Sequence, residues 1–228
     1  MVEEFYQVTL ELLARCLDEV GAEYRIEDGD VLLAGHRLGV SIAFDGFTPQ
    51  DGQVIAPLDI QLHLDGDDGN LFRVGAFGVG DDEKSAGRAA VREWFVLAAQ
   101  PILEALGAVS VEKRRAKPAR RIGGWRLFAG QAGVRGQLPA DTDAVSRLYR
   151  ELLQCVLTSV SGWPTPQHVE FRSIYLMATC VDGRAEVQAA QDGLVNNKLS
   201  DAIAALNWPP SRLAYLYKQL FVLRGDRL

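Results

Sequence analysis

The sequence predicts an α+β fold made of two halves, each an antiparallel β-sheet packed with α-helices. Over residues 3–20 apolar side chains recur every three or four positions, and after that they alternate with polar ones. A change from helical spacing to period two is typical of a helix followed by half-buried strands. The pairs Asp28-Gly29 and Asp182-Gly183 lie between alternating segments and favour tight hairpin turns, one in each half.

The first half, residues 1–107, is predicted to run from a helix through an antiparallel sheet to a second helix. The helix over 3–20 is followed by Gly21, which favours its termination. The Asp-Gly turn after it pairs Ile26 with Val31 across the first hairpin. Alternation then predicts strands over 38–45, 57–65 and 71–77. Helical periodicity predicts the second helix over 81–107.

The second helix is expected to begin directly after a glycine-rich turn. The glycines of residues 75–80 have the spacing GxxGxG, which differs from the phosphate-binding patterns GxGxxG and GxxxxGK[ST]. Carboxylates fill the first turn of the helix, where they complement free N–H groups and repel phosphate. The pattern therefore favours a tight strand-to-helix turn over a nucleotide site. Pro101 is expected to kink or interrupt the helix.

Residues 108–140 are predicted to form a linker or an exposed excursion between the halves. Glycine and proline are dense there, and they favour turns over regular elements. Only the segment from Trp125 to Phe128 resembles a strand. The same region contains a basic run over 113–121, with six cations in nine residues.

The second half, residues 141–228, is predicted as helix, β-hairpin, helix. The hairpin turn at Asp182-Gly183 pairs Cys180 with Ala185, and apolar residues then share one face of the ribbon. The segment 212–223 is apolar at most positions, so its period does not distinguish helix from strand. The other elements are a helix near 141–157, hairpin strands over 168–181 and 184–191, and a helix near 196–206.

Composition and charge favour a cytoplasmic protein without a membrane segment. The first residues are acidic rather than basic, and no long apolar stretch follows. Cys16, Cys155 and Cys180 show no CxxC spacing and are predicted to be reduced, buried thiols. Residues 1–107 hold 20 acidic and 7 basic side chains, whereas residues 108–228 hold 10 and 17. The opposite net charges of the two halves favour docking of one half on the other, or self-association of the protein. The alternative is that the charged side chains cluster by chance on a solvated surface.

The leading functional hypothesis is a non-catalytic binding or interaction protein, with a protein partner or a second copy of itself. The sequence contains no GxSxG or SxxK motif, and no cofactor is predicted. Nucleic-acid contact through 113–121 is an alternative, although no aromatic residue interleaves the cations and the pI is near 5.2. The surface predicted to bind consists of Arg114, Arg115, Lys117, Arg120 and Arg121.

A second alternative is a metal-assisted enzyme that uses Asp59, His63 and Asp65. Alternation places the three side chains on one face of the strand over 57–65. Imidazole and carboxylate groups bind metals and perform acid–base chemistry. A polar face exposed to solvent explains the same residues without any chemistry.

Two segments resemble a bacterial family of unknown function. One is GVGDDEKSAGRAAVREW, from Gly78 to Trp94, and the other runs from Asn207 to Leu223 and contains NWPP and KQLFVL. The resemblance implies no activity, cofactor or site residue. Some small acidic bacterial proteins of this kind accompany toxin systems, so an accessory or immunity-type role is among the expectations.

Overall fold

The structure, a computed structural model, describes residues 2–65, 70–108, 120–136 and 141–226 of the chain. Contacts divide it into two compact units, Met1–Lys117 and Pro118–Leu228. Each unit contains one antiparallel sheet with helices packed against it, which confirms the predicted α+β fold in two halves. Within the described residues, no helix is both long enough and apolar enough to cross a membrane.

The first unit contains a six-stranded antiparallel sheet in its described residues. The helices are α1 (Val2–Glu19) and α2 (Glu83–Ala105), and the strands are β1 (Tyr24–Glu27), β2 (Asp30–Leu33), β3 (His36–Phe44), β4 (Thr48–Gln50), β5 (Gln53–Leu64) and β6 (Asn70–Gly80). Strand β5 is the centre of the sheet, because it pairs with β3 and β4 along one edge and with β6 along the other.

The predicted alternation of the first sheet is confirmed. Asp28 and Gly29 both have positive φ, as a two-residue hairpin turn requires, and Ile26 pairs with Val31. One face of the sheet is apolar and buried, and the other carries polar side chains. The buried side chains are those of Val31, Leu33, Leu38, Leu58, Ile60, Leu62, Phe72 and Val74.

Helix α2 begins with a capping box and is not interrupted by its proline. The Ser85 amide donates to Asp82 Oδ1 at 2.7 Å, and the Asp82 amide donates to Ser85 Oγ at 3.2 Å. The helix continues past Pro101 to Ala105, so the expected interruption is wrong. Pro101 is buried, and we infer that packing of this turn outweighs the backbone hydrogen bond that proline cannot donate.

The second unit contains a seven-stranded antiparallel sheet in its described residues. The helices are α3 (Thr142–Ser161) and α4 (Asn197–Ala204), and the strands are β7 (Arg120–Ile122), β8 (Trp125–Ala129), β9 (Gly133–Gly136), β10 (Glu170–Val181), β11 (Arg184–Gln191), β12 (Leu194–Val195) and β13 (Tyr215–Gly225). The strand order is β12-β11-β10-β13-β8-β7, and β9 also pairs with β13. Helices α3 and α4 contribute to one core with the sheet.

The structure differs from the expected linker over 108–140. Residues 120–136 form three strands of the second sheet, and only 109–119 and 137–140 lie outside the described residues. Glycine marks the turns of this region: Gly123 and Gly124 have positive φ and close the β7–β8 hairpin.

The undecided segment 212–223 contains most of β13, which is the central strand of the second sheet. Side chains on both of its faces are buried, so the polar–apolar alternation that identifies a half-buried strand is absent from its sequence. In the neighbouring hairpin the predicted register is confirmed, since Cys180 pairs with Ala185 and Leu176 pairs with Ala189.

Candidate functional site

The structure divides the predicted basic surface. Arg114, Arg115 and Lys117 lie outside the described residues. Arg120 and Arg121 are exposed on β7, and successive residues of a strand point to opposite faces of the sheet. The two arginines at the end of the basic run therefore do not form one surface.

Arg120 lies on the face that carries α3. It pairs with Leu127, which belongs to the core under that helix. Burial raises the pKa of the Tyr149 hydroxyl on α3, and the positive charge of Arg120 opposes this rise. Arg121 therefore projects from the opposite face.

Arg121 belongs to a row of three arginines that crosses three adjacent strands. Arg121 on β7 pairs with Arg126 on β8, and Arg126 pairs with Arg224 on β13. We call Arg121, Arg126 and Arg224 the arginine row. Like charges that lie directly opposite each other destabilise a sheet, so the row needs anionic compensation.

The first two arginines of the row are held especially close. The β7–β8 hairpin has a two-residue turn, which places a hydrogen-bonded pair, Ile122 and Trp125, beside the turn. The next pair, Arg121 and Arg126, is therefore non-hydrogen-bonded, and such pairs have Cα atoms only about 4.5 Å apart. The hairpin thus fixes two guanidinium groups on one side of the sheet.

One carboxylate, that of Asp226, lies against the arginine row. Arg224 Nε donates a hydrogen bond to Asp226 Oδ1 at 3.0 Å. Arg126 Nε lies 3.1 Å from Asp226 Oδ2, but its N–H has no hydrogen-bond acceptor among the described residues. Arg121 forms no ion pair within the part of the chain that the structure describes. The compensation therefore comes from one carboxylate shared by Arg224 and Arg126, and Arg121 has no such partner.

The three residues of the metal hypothesis take three different partners. Asp59 Oδ2 accepts from Arg73 Nε at 2.6 Å. His63 Nε2 lies 2.8 Å from the Ser41 hydroxyl, and Asp65 Oδ2 lies 2.7 Å from His36 Nδ1. Burial acts to raise the pKa of Asp65, but hydrogen bonds from His36 and from the Arg37 amide outweigh it and lower that pKa.

These three residues do not converge on a common point. Residues four apart on a strand are separated by about 13 Å, which keeps Asp59 away from His63. Asp65 follows the end of β5 and has positive φ. Among the described residues, no group of three histidine, cysteine or acidic side chains is arranged to hold a metal ion.

The partners of this polar face were not predicted from the sequence. Ser41 reaches His63 because β3 pairs with β5, with Ser41 opposite Gln61. The alternation of residues 38–45 places Ser41 at a polar position, but alternation alone does not give the register between two strands that are joined through a long polar loop.

A protein-family model matches residues 26–225, which is most of the chain and covers strands of both units. The chain belongs to this family of unknown function, DUF6348. The DUF6348 match includes both segments that carried the resemblance and confirms the expected family of unknown function. No curated protein matches the chain. No solved structure matches it either.

The glycine-rich segment of this DUF6348 protein brings a strand against a helix. A Cβ atom on Gly78 of β6 would overlap the carbonyl oxygen of Ala86 and the amide nitrogen of Ala90, both in α2. A Cβ atom on Gly80 would likewise overlap Ser85 Oγ and the amide nitrogen of Ala86 in the first helical turn. The motif therefore serves close packing, and the carboxylates of Asp82 and Glu83 occupy the helix start.

Proposed function

We propose that this protein is a non-catalytic binding protein whose second unit binds an acidic region of a protein partner through the arginine row. The observation that carries the proposal is the direct opposition of Arg121 and Arg126 across the β7–β8 hairpin. Asp226 is shared between Arg224 and Arg126, so one carboxylate offsets only part of the charge of the three arginines.

Two arginines on a rigid hairpin are suited to bind carboxylate groups. The planar guanidinium matches a carboxylate with two parallel hydrogen bonds, and such charge-assisted bonds are roughly twice as strong as neutral ones. Backbone pairing fixes both Cα atoms, so binding orders little more than the side chains. An acidic ligand would also relieve the repulsion between Arg121 and Arg126.

The edge of β7 supports a protein partner. The two-residue turn makes Ile122 and Trp125 a hydrogen-bonded pair, and in the next pair the N–H and C=O of Arg121 therefore point away from β8. No described strand pairs with that outer edge. An extended segment of a partner can add there as a further strand, with its acidic side chain beside the row.

The overall charge argues against a nucleic acid as the partner. The chain carries a net charge of −6, which repels a phosphate backbone at long range. A short acidic segment of a protein adds far less repulsion. A cytoplasmic location is part of the proposal, and the three cysteines support it because all are free thiols.

The test measures binding of a fluorescein-labelled peptide of ten glutamates by anisotropy. We expect the double variant R121A/R126A to bind at least about tenfold more weakly, which corresponds to about 1.4 kcal/mol. Arg120→Ala removes the same charge from the opposite face and is the matched control. We expect it to change the affinity less than about twofold.

Further measurements separate binding of an acidic protein segment from nucleic-acid contact, from a diffuse charge effect and from self-association. Tighter binding of a labelled DNA duplex than of the acidic peptide would overturn the proposal in favour of nucleic-acid contact. Equal losses in Arg120→Ala and Arg121→Ala would show a diffuse charge effect and would also overturn it. Sedimentation of the unlabelled protein tests self-association: a dimer that dissociates in R121A/R126A would identify the acidic partner as a second copy.

A further inference from the structure

We infer that Arg121 and Arg126 together bind the phosphate of a phosphorylated side chain in an extended segment of the partner. This inference rests on the proposed function, because it specifies the anion that the arginine row recognises. Three features of the β7–β8 hairpin support it: the net charge of the arginine row, the close pairing of Arg121 with Arg126, and the outer edge of β7.

The net positive charge of the arginine row matches the charge of a dianion. Asp226 lies against both Arg224 and Arg126 and offsets one of the three positive charges of the row, so a net charge of two remains for a ligand. A phosphomonoester carries a charge of about −1.5 to −2 at neutral pH and presents three acceptor oxygens. A single carboxylate carries one charge and two oxygens, so it would neutralise only half of the net charge of the row.

The spacing brings both guanidinium groups to one ion. Arg121 and Arg126 are directly opposite in a non-hydrogen-bonded pair, where side chains are closest. The Arg126 side chain is 39% exposed, so part of its guanidinium is accessible to a ligand even though its Nε lies 3.1 Å from Asp226 Oδ2. Two glutamates of an acidic peptide would have to converge in the same small space, where they would repel each other.

The strand edge indicates that the phosphate belongs to a protein rather than to a lipid or a free ion. The Arg121 N–H and C=O point outward from the edge of β7, so an extended peptide can pair with the residue that carries the arginine. Alternate side chains of that added strand fall on the face of the row. A lipid headgroup or inorganic phosphate gains nothing from this edge.

The experiment compares three nine-residue peptides that differ only at the central position, which carries serine, glutamate or phosphoserine. The flanking residues alternate threonine and valine, which favour an extended strand. We expect the phosphoserine peptide to bind at least about tenfold more tightly than the glutamate peptide, as judged by anisotropy. Arg121→Ala and Arg126→Ala should each reduce this preference to less than about threefold, whereas Arg120→Ala should leave it unchanged.

A second measurement checks that the variants fold. Because Arg121→Ala removes a like-charge contact, its thermal midpoint should equal or exceed that of the wild type. A lower midpoint would contradict the repulsion on which the inference depends. Arg121→Lys keeps the charge without the planar fork, so it should lose a large part of the phosphopeptide preference.

The outcomes for the two proposals differ. If glutamate and phosphoserine peptides bind equally and Arg121→Ala weakens both, the phosphate inference fails and the acidic-partner function stands. If neither peptide nor the ten-glutamate peptide binds, both fail. If vesicles containing phosphatidylinositol phosphates, or inorganic phosphate alone, bind as tightly as the phosphopeptide, the protein source of the phosphate is wrong.

Discussion

The guanidinium carbon of Arg172 lies 4.1 Å from the ring centroid of Trp163. Arg172 is on β10, whereas Trp163 follows the end of α3, so the contact joins the sheet to the helix layer of the second unit. The same guanidinium donates from Nε to Asp192 Oδ2 at 2.8 Å, and Asp192 Oδ1 accepts the Ser173 amide at 2.7 Å. Asp192 begins the turn between β11 and β12, so one arginine links three segments.

The substitution Arg172→Ala should therefore destabilise the second unit. It removes a stacked cation, and it leaves the partly buried Asp192 carboxylate without its counter-ion, so we expect a loss of about 1–3 kcal/mol in the free energy of unfolding. Urea unfolding followed by tryptophan fluorescence measures this loss. Arg184→Ala, at an exposed position of β11, is the control and should change it by less than about 0.5 kcal/mol. Equal effects of the two substitutions would show that the contact with Trp163 contributes nothing.

The packing of β6 on α2 gives a second prediction. Gly78→Ala forces a methyl group against the backbone of Ala86, which a helix cannot move without losing hydrogen bonds. We expect it to lower the free energy of unfolding by about 3 kcal/mol, or to leave the protein insoluble. Gly75→Ala lies on the same strand with open space around the new methyl group and should be close to neutral. The explanation is wrong if both variants unfold at the wild-type urea concentration.

The three thiols differ in exposure, which gives a prediction about their reactivity. Cys180 is buried and Cys16 and Cys155 are half-buried, so the predicted burial is complete only for Cys180. Burial raises the pKa of Cys180 to about 11 and also raises that of Cys155. Since the thiolate is the nucleophile, iodoacetamide at pH 8 should alkylate Cys155 slowly and Cys180 only in urea.

Peptide mass spectrometry after timed alkylation distinguishes these sites. Raising the pH to 9.5 should accelerate the reaction of Cys155, because more of its thiol ionises, and should leave Cys180 protected by the fold. Alkylation of Cys180 at the rate of Cys155 without denaturant would mean that its strand opens readily.

Local turn chemistry explains what the sequence could predict of the fold. Asp28-Gly29 and Asp182-Gly183 are pairs in which both residues adopt positive φ, and so each fixed the register of its own hairpin. Pairing between strands that are distant in the chain leaves no such local signal. For this reason Arg121 was predicted as a binding residue, whereas its neighbours Arg126 and Arg224 were not.

Predictions failed where tertiary packing outweighed local preference. Pro101 normally breaks a helix, but its turn is buried within α2. The glycines of 120–136 indicated a linker, although the structure uses them between short strands. Composition described the charge of the basic run but not its geometry, because alternation in β7 sends Arg120 and Arg121 to opposite faces.

The position of β13 has a consequence for the order of folding during synthesis. A ribosome makes β7 to β12 before β13, yet β13 is the strand that joins β10 to β8 and β9. Before β13 has been made, the β7–β8 hairpin, strand β9 and the ribbon of β10 to β12 lack the strand with which each of them pairs, and their unpaired edges are exposed to wrong pairing. Closure of this sheet therefore requires β13, and the long sequence separation between β13 and β8 makes that step slow.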